Sequence, residues 1–227
     1  MDCAPPPFQS HQGVADLAAA VEPVLARFPA LRATLFQEAR SLCLADTLHD
    51  ARGYLEADAL RIVIAADLPS RLQQAILIHE LRHLQQQSAG TCPAPDLSMR
   101  ENARAIFAME ADSSAYSLTV AWELWQDGLP DLWEALSLWP MQADIARTYR
   151  QAFTQNGDAA YAASAAFTQW YANPIRRESY YIAACSDYLE QLDRNHLPPG
   201  SGRLPPDFFR QLCKLPDGSP YPCEEAG

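Results

Sequence analysis

Two neighbouring segments of the chain have apolar patterns of different period. In ARGYLEADALRIVIAADL, apolar residues alternate with others, which predicts a strand over residues 60–65, paired in a hairpin with residues near Tyr54. The following RLQQAILIHELRHLQQQ has apolar residues at helical spacing, so we expect a helix from an N-cap at Ser70 to about Gln87. The pattern predicts a strand followed directly by an amphipathic helix.

Most of the remaining chain has helical periodicity. Further helices are expected over residues 12–27, 30–40, 99–127, 130–154, 157–171 and 174–194, with an extended segment at SLCLADTL and a helical turn near 206–213. We therefore predict a predominantly helical α+β protein, with a small sheet before the helix that ends near Gln87 and a helical C-terminal half. Residues 1–196 are expected to form one domain, and residues 197–227 a Pro-rich irregular tail packed on it or trailing from it.

The helix after the strand contains the motif HELRH. On a helix, His79 and His83 lie on one face, one turn apart, with Glu80 beside the first histidine. This H-E-x-x-H spacing offers two neutral nitrogen ligands to a metal ion, with a carboxylate close to any metal-bound water. The alternative is an ordinary amphipathic helix whose polar face includes two histidines. A third candidate ligand is needed to distinguish a metal site from such a helix.

Two acids on the next long helix are candidates for that third ligand. Glu110 lies among small and apolar residues in FAMEADSSAY, where a buried carboxylate is costly without a partner such as a metal ion. Glu101 lies near the helix start, where interaction with the helix dipole already explains an acid. Glu110 is therefore the preferred ligand, against the alternative that it and Asp112 form a solvated helix edge.

These segments together resemble a known class of enzymes. GYLEADALRIVIAADL, HELRH and MEADSSAY are similar to the gluzincin class of zinc metallopeptidases, and within it to uncharacterised bacterial metallopeptidase families. WYANPIRRESYY, at residues 170–181, matches an aromatic stretch of those families that ends in a late tyrosine. The resemblance covers about residues 50–190 and implies a zincin-like fold, a Zn²⁺ cofactor and a peptide or protein substrate.

The resemblance also implies roles for individual residues. His79, His83 and Glu110 match the zinc ligands, Glu80 matches the catalytic glutamate, and Tyr180 stands where the late tyrosine would stabilise the oxyanion. Tyr116, Tyr181 and His196 are other candidates for that last role, and Arg176 and Arg177 are candidates for binding a substrate carboxylate.

The sequence departs from the family pattern at two positions. Arg82 places a charge inside the motif, and Ser114 stands where an aspartate would support a histidine. The residues that orient the histidines are therefore unassigned, with Asp112 as a possible substitute.

Two other functions fit parts of the pattern. Glu80 and His83 also form an E-x-x-H pair of the kind that binds two irons in helical bundles, with Asp193–His196 and Asp46–His49 as loose partners. A di-iron site would leave His79 without a role. Both partner pairs also begin with Asp, whereas di-iron bundles use Glu-x-x-His. A catalytically silent zincin-like scaffold is the third hypothesis, since fold does not imply activity.

Composition and charge narrow the classes of partner. The 227 residues carry a formal net charge of −11 with no cluster of Lys and Arg, so a nucleic-acid partner is not expected. We see neither an 18-residue apolar window for a membrane span nor a signal peptide, and cytoplasmic and secreted locations both stay open.

The six cysteines form no C-x-x-C motif but could form three disulfides. Cys213 and Cys223 would close a loop in the tail, whereas Cys43 and Cys185 are alternatively buried thiols. Oligomeric state does not follow from these residues.

Overall fold

The chain folds as an α+β protein with a small mixed sheet at its N-terminal side and a helical C-terminal part, as predicted. The structure is a computed structural model that describes residues 1–48 and 51–224. The strands are β1 Asp2–Ala4, β2 Ser41–Ala45, β3 Gly53–Glu56 and β4 Arg61–Ala65. The α-helices are α1 Gln12–Arg27, α2 Pro29–Ala33, α3 Ser70–Ser88, α4 Met99–Gln126, α5 Asp131–Leu138, α6 Ala143–Asn156, α7 Ala159–Ala172, α8 Pro174–Asn195 and α9 Phe208–Leu212.

The sheet has the strand order β1-β2-β4-β3. β2 and β4 are parallel, and β1 and β3 are added antiparallel at the two edges. β4 is buried along Ile62–Ala65, so the expected alternation is not observed. Ile62 and Ile64 belong to the main core and Val63 to a second small cluster, so the strand is covered on both faces. The predicted hairpin between Tyr54 and β4 is confirmed, since Tyr54 pairs with Val63.

Helix α3 lies across this sheet and against α4, so it connects the two parts of the fold. It begins at Ser70, the residue predicted as its N-cap: the N-cap is Pro69, one residue earlier, and the Ser70 hydroxyl accepts a hydrogen bond from Gln74. Helix α4 begins as predicted, because the Ser98 hydroxyl accepts a hydrogen bond from the Glu101 amide.

The prediction of a single helix over residues 130–154 is wrong. This segment is divided into α5 and α6 by Trp139 and Pro140. Proline lacks an amide hydrogen and disfavours helical conformation in the preceding residue, and Trp139 is extended with ψ 119°. The apolar periodicity continues through this break, which is why the pattern alone did not reveal it.

Two disulfides are present. Cys3 and Cys43 are direct cross-strand partners of β1 and β2, so the interpretation of Cys43 as a buried thiol is wrong. The possible Cys213–Cys223 bond does form. Cys185 is a partly buried free thiol, and Cys92 is free and exposed.

The segment after α8 packs on the helical part. Gly202 exchanges backbone hydrogen bonds with Asp96 and Ser98, and the Tyr188 hydroxyl donates to the Leu97 carbonyl and accepts from the Gly200 amide. α9 then buries Phe208 and Leu212, and the Cys213–Cys223 loop follows. No helix of the described residues is long and apolar enough to cross a membrane.

Gly53 allows β3 to lie directly on α3. A Cβ atom at this position would lie 2.5 Å from Cγ2 of Ile76 and 3.1 Å from the carbonyl oxygen of Val63. By contrast, a Cβ atom at Gly13 on α1 would meet only the end of the Leu44 side chain, at 3.1 Å. The space at Gly53 therefore has backbone on one side and a packed branched side chain on the other.

We expect Gly53→Ala to lower the free energy of unfolding by about 1–3 kcal/mol through overpacking. Gly13→Ala is the matched control, because the flexible Leu44 side chain can move and alanine favours a helix. Thermal unfolding followed by circular dichroism measures both. Equal melting temperatures for the two variants would contradict this account of β3.

Candidate metal centre

The side chains of His79, His83 and Glu110 converge between α3 and α4. Among the described residues they form the one group of three His, Cys, Asp or Glu side chains arranged so that they could hold a metal ion. The helical spacing of the two histidines brings their Nε2 atoms to 3.1 Å from each other. Glu110 lies opposite, with Oε2 3.3 Å from His79 Nε2 and Oε1 3.2 Å from His83 Nε2.

These separations fit a small tetrahedral ion. Bonds of about 2.0–2.1 Å at tetrahedral angles place neighbouring ligand atoms about 3.3 Å apart. The three side chains are 15%, 12% and 17% exposed for His79, His83 and Glu110, so the cluster is mostly buried and still reached by solvent. This donor set of two imidazoles and one carboxylate, with access from solvent, leaves room for water at a fourth position.

The hydrogen bonds around His83 favour the protonation state of a ligand. Its Nδ1 atom lies 2.9 Å from Oε1 of Gln86, while the Gln86 amide nitrogen donates to Asp112 Oδ2 at 2.8 Å and to the Met109 carbonyl at 3.1 Å. Because the amide nitrogen faces acceptors, Oε1 must face His83, and this assigns the proton of the neutral ring to Nδ1. Nε2 then carries the free lone pair that a metal ion needs.

Charge interactions within the cluster are strong. Burial lowers the pKa of His83, but the Glu110 carboxylate, together with Glu80 and the hydrogen bond to Gln86, more than offsets this and raises it to about 9. Burial also opposes ionisation of Glu110, yet the two histidines hold its pKa well below its ordinary value. Without metal, a proton on His83 therefore balances the charge of the Glu110 carboxylate.

Glu80 lies beside the cluster and is buried, with 5% of its surface exposed. Burial raises the pKa of its carboxyl group, an effect that the neighbouring His83 and His79 partly oppose. The Leu55 backbone amide on β3 also lowers this pKa. Glu80 thus extends from α3 toward β3, an edge strand of the sheet.

Of the candidates for the oxyanion role, Tyr180 lies at the cluster. Burial raises the pKa of its phenol well above the ordinary value, and the facing Glu110 carboxylate raises it further. Its ring packs on Trp170, with the ring centroids 5.2 Å apart. Tyr181 is instead 52% exposed, and His196 is exposed where α8 ends.

The remaining candidates have other contacts. Tyr116 packs under the Arg82 guanidinium. Arg176 is buried and forms an ion pair with Asp144 at 2.6 Å, so it anchors α8 and is not available to a substrate, whereas Arg177 is exposed. Glu101, the second choice as a metal ligand, accepts hydrogen bonds from Arg104 and from the Leu204 amide.

The iron hypothesis gains no support from the described residues. Asp193 and His196 lie outside the His79–His83–Glu110 group, and both are exposed. Asp46 is described and pairs with the N-terminal amine, but its proposed partner His49 lies outside the described residues.

The residues at which the sequence departs from the family pattern, Arg82 and Ser114, both have hydrogen-bond partners in the fold. Arg82 donates from Nε to Asp112 Oδ2 at 2.7 Å and from a terminal nitrogen to the Leu212 carbonyl at 2.6 Å. Asp112 supports His83 indirectly, through Gln86, and Ser114 accepts a hydrogen bond from Gln142. The sequence indicated Asp112 as a substitute but gave no signal for Gln86.

A comparison with protein-family models gives a match to the family described as "Putative metallopeptidase family (DUF6782)", over residues 1–223. The chain belongs to this family. Membership of a metallopeptidase family suggests a hydrolase and implies a peptide substrate. Searches among curated proteins and among solved structures gave no match.

We expect the zinc affinity of this metallopeptidase family member to rise about tenfold per pH unit between pH 6 and 8, and to level off near pH 9. The metal-free protein holds a proton on His83 below about pH 9, and zinc must displace it. Competition with a chromogenic chelator at each pH measures the dissociation constant. An affinity that is constant between pH 6 and 8 would contradict the charge assignment.

Proposed function

We propose that the protein is a zinc-dependent metallopeptidase, which hydrolyses peptide bonds with a metal-activated water and Glu80 as general base. One observation carries the proposal: two histidine nitrogens and the Glu110 carboxylate converge at tetrahedral separations next to a buried glutamate, in a chain of a metallopeptidase family. The proposed ligands are His79, His83 and Glu110.

The donor set supports zinc as the metal. Zinc binds imidazole nitrogen and carboxylate oxygen, and its catalytic sites have three protein ligands and one water. Bound at these residues, zinc would lower the pKa of that water and polarise a substrate carbonyl. A thiolate-rich site would favour other chemistry, and neither free cysteine belongs to this cluster.

Glu80 is proposed to move the proton. Its carboxylate would accept a proton from the attacking water and later transfer it to the leaving amine. Burial raises its pKa, which brings its proton affinity closer to that of a base working near neutral pH. Its position next to His79 in the sequence keeps it within one helical turn of both histidine ligands.

Tyr180 is proposed to stabilise the oxyanion that forms when water attacks the carbonyl. Its raised pKa keeps the phenol protonated at neutral pH, so its hydroxyl can donate a hydrogen bond. The anchoring of α8 by Arg176 and by the Asn173 cap supports this role, because it fixes the helix one turn before Tyr180.

An extended peptide is the proposed substrate. β3 is an edge strand, and edge strands present unpaired backbone groups that can pair with an added chain. Gly53 brings this strand close to α3, where a Cβ atom would lie 3.6 Å from Glu80 Oε1. A peptide paired with β3 would therefore pass beside the proposed base.

We expect Glu80→Gln to lower kcat by about 10²–10⁴-fold while one zinc per chain is retained, because the amide cannot accept the proton. The measurement is cleavage of a peptide library by the zinc-loaded protein, followed by mass spectrometry, with zinc content determined in parallel. Cleavage by the wild type that Glu80→Gln leaves unchanged would exclude the proposed base. Bound zinc without any cleavage by the wild type would favour the scaffold hypothesis.

Tyr180→Phe should lower kcat by about 10²–10³-fold, as expected for the loss of one oxyanion donor, with a small change in KM. The neighbouring Tyr181→Phe is the matched control, because its side chain is exposed and should leave kcat unchanged. Steady-state kinetics on one cleaved peptide compares them. Equal kcat values for the two variants would remove Tyr180 from the mechanism.

A further inference from the structure

The Cys213–Cys223 loop contacts helix α4 at Asp112, two residues after Glu110. Within the loop, an isolated bridge pairs Lys214 with Pro220, and the Tyr221 amide donates to the Cys213 carbonyl. This arrangement holds the Tyr221 side chain in the interior, where it is 4% exposed. Its hydroxyl donates a 2.7 Å hydrogen bond to Oδ1 of Asp112.

From Asp112 the contacts continue to a proposed metal ligand. Asp112 Oδ2 accepts from the Gln86 amide nitrogen at 2.8 Å, and Gln86 Oε1 lies 2.9 Å from His83 Nδ1. We call these four residues, Tyr221, Asp112, Gln86 and His83, the His83 support network. Asp112 is 0% exposed and Gln86 is 1% exposed, so water does not compete for these hydrogen bonds.

We infer that the C-terminal disulfide loop is an outer support of the metal centre, in which Tyr221 acts through Asp112 and Gln86 to hold His83 in its ligand orientation. The inference rests on the proposed metal site. It assigns Tyr221, Asp112 and Gln86 as positioning residues, since their hydrogen bonds lead to Nδ1 of His83 and not to Nε2, the nitrogen that faces Glu110. Partners of this kind orient histidine ligands and fix their tautomer.

The direction of each hydrogen bond supports this assignment. The Asp112 carboxylate can only accept, so the Gln86 amide must present its nitrogen to Asp112 and its oxygen to His83. Tyr221 is a donor to Asp112, because burial and the carboxylate raise the pKa of its phenol well above the ordinary value. The Asp112 carboxylate therefore determines, through Gln86, which nitrogen of His83 faces the metal, and Tyr221 holds that carboxylate in place from its other oxygen.

The loop also has a structural role, which the experiment must separate from positioning. Tyr188→Phe provides the matched control. Like Tyr221, Tyr188 is a buried tyrosine whose hydroxyl holds the C-terminal segment, but its partners are the Leu97 carbonyl and the Gly200 amide. It does not belong to the His83 support network.

The test compares zinc dissociation constants of the wild type, Tyr221→Phe and Tyr188→Phe, measured by chelator competition at one pH under non-reducing conditions. We expect Tyr221→Phe to weaken zinc binding by about tenfold and Tyr188→Phe to change it by less than about twofold. A Cys213→Ser/Cys223→Ser double variant, which frees the loop, should weaken binding in the same direction as Tyr221→Phe. Melting temperatures confirm that each variant is folded at the measuring temperature.

A spectroscopic signal separates positioning from stability. In the zinc-loaded wild type, His83 should show a slowly exchanging, downfield Nδ1–H proton resonance, because this proton is held by Gln86. The resonance should shift in Tyr221→Phe and stay in place in Tyr188→Phe. Its absence from the wild type would overturn the inference even if Tyr221→Phe did not fold.

The outcomes distinguish this inference from the proposed function. If the wild type binds zinc and the two tyrosine variants have equal affinities, the loop has only a structural role and the inference is wrong. If the wild type binds no zinc, the proposed metal site itself fails and the inference fails with it.

Discussion

The ion pair between Arg82 and Asp112 is the interaction on which the rest of the site depends. It joins α3 to α4 in the interior, with the Arg82 side chain 9% exposed and that of Asp112 0% exposed. A buried ion pair is tolerated only when its remaining donors and acceptors are also satisfied. Here Arg82 also donates to the Leu212 carbonyl, and Asp112 also accepts from Gln86 and Tyr221.

This ion pair connects three parts of the chain that are distant in sequence. Helix α3 supplies Arg82, helix α4 supplies Asp112, and the C-terminal segment contributes the Leu212 carbonyl and the Tyr221 hydroxyl. The same contacts orient the imidazole of His83 toward Glu110, so a buried ion pair lies directly behind the proposed metal ligands. A change that separates Arg82 from Asp112 would therefore affect both the stability of the fold and the geometry of the site.

Much of the fold and of the ligand set could be predicted because the signals are local. The strand β4 and the helix α3 have distinct apolar periods, and the spacing of His79 and His83 is a property of any helix. Glu110 could be selected because an acid among small apolar residues needs a partner. The break at Pro140 was missed because the apolar pattern continues through it.

The supporting residues could not be predicted, because their contacts depend on tertiary structure. Tyr221 and Asp112 are 109 residues apart in the sequence, and no local pattern indicates a contact between residues so far apart. Arg82 looked like a departure from the motif until its buried partner was known. The Cys3–Cys43 disulfide depends on the register of β1, a strand of three residues that is too short to give a periodic signal.

His79, His83 and Glu110 are proposed to bind one zinc ion together. Elemental mass spectrometry of the purified protein after zinc supplementation tests this proposal most directly, on the wild type, His83→Ala, Glu110→Ala and the control Glu101→Ala. We expect about one zinc per chain in the wild type and in Glu101→Ala, and little in His83→Ala and Glu110→Ala. Zinc retained by Glu110→Ala, two irons per chain, or no metal in the wild type would contradict the proposal.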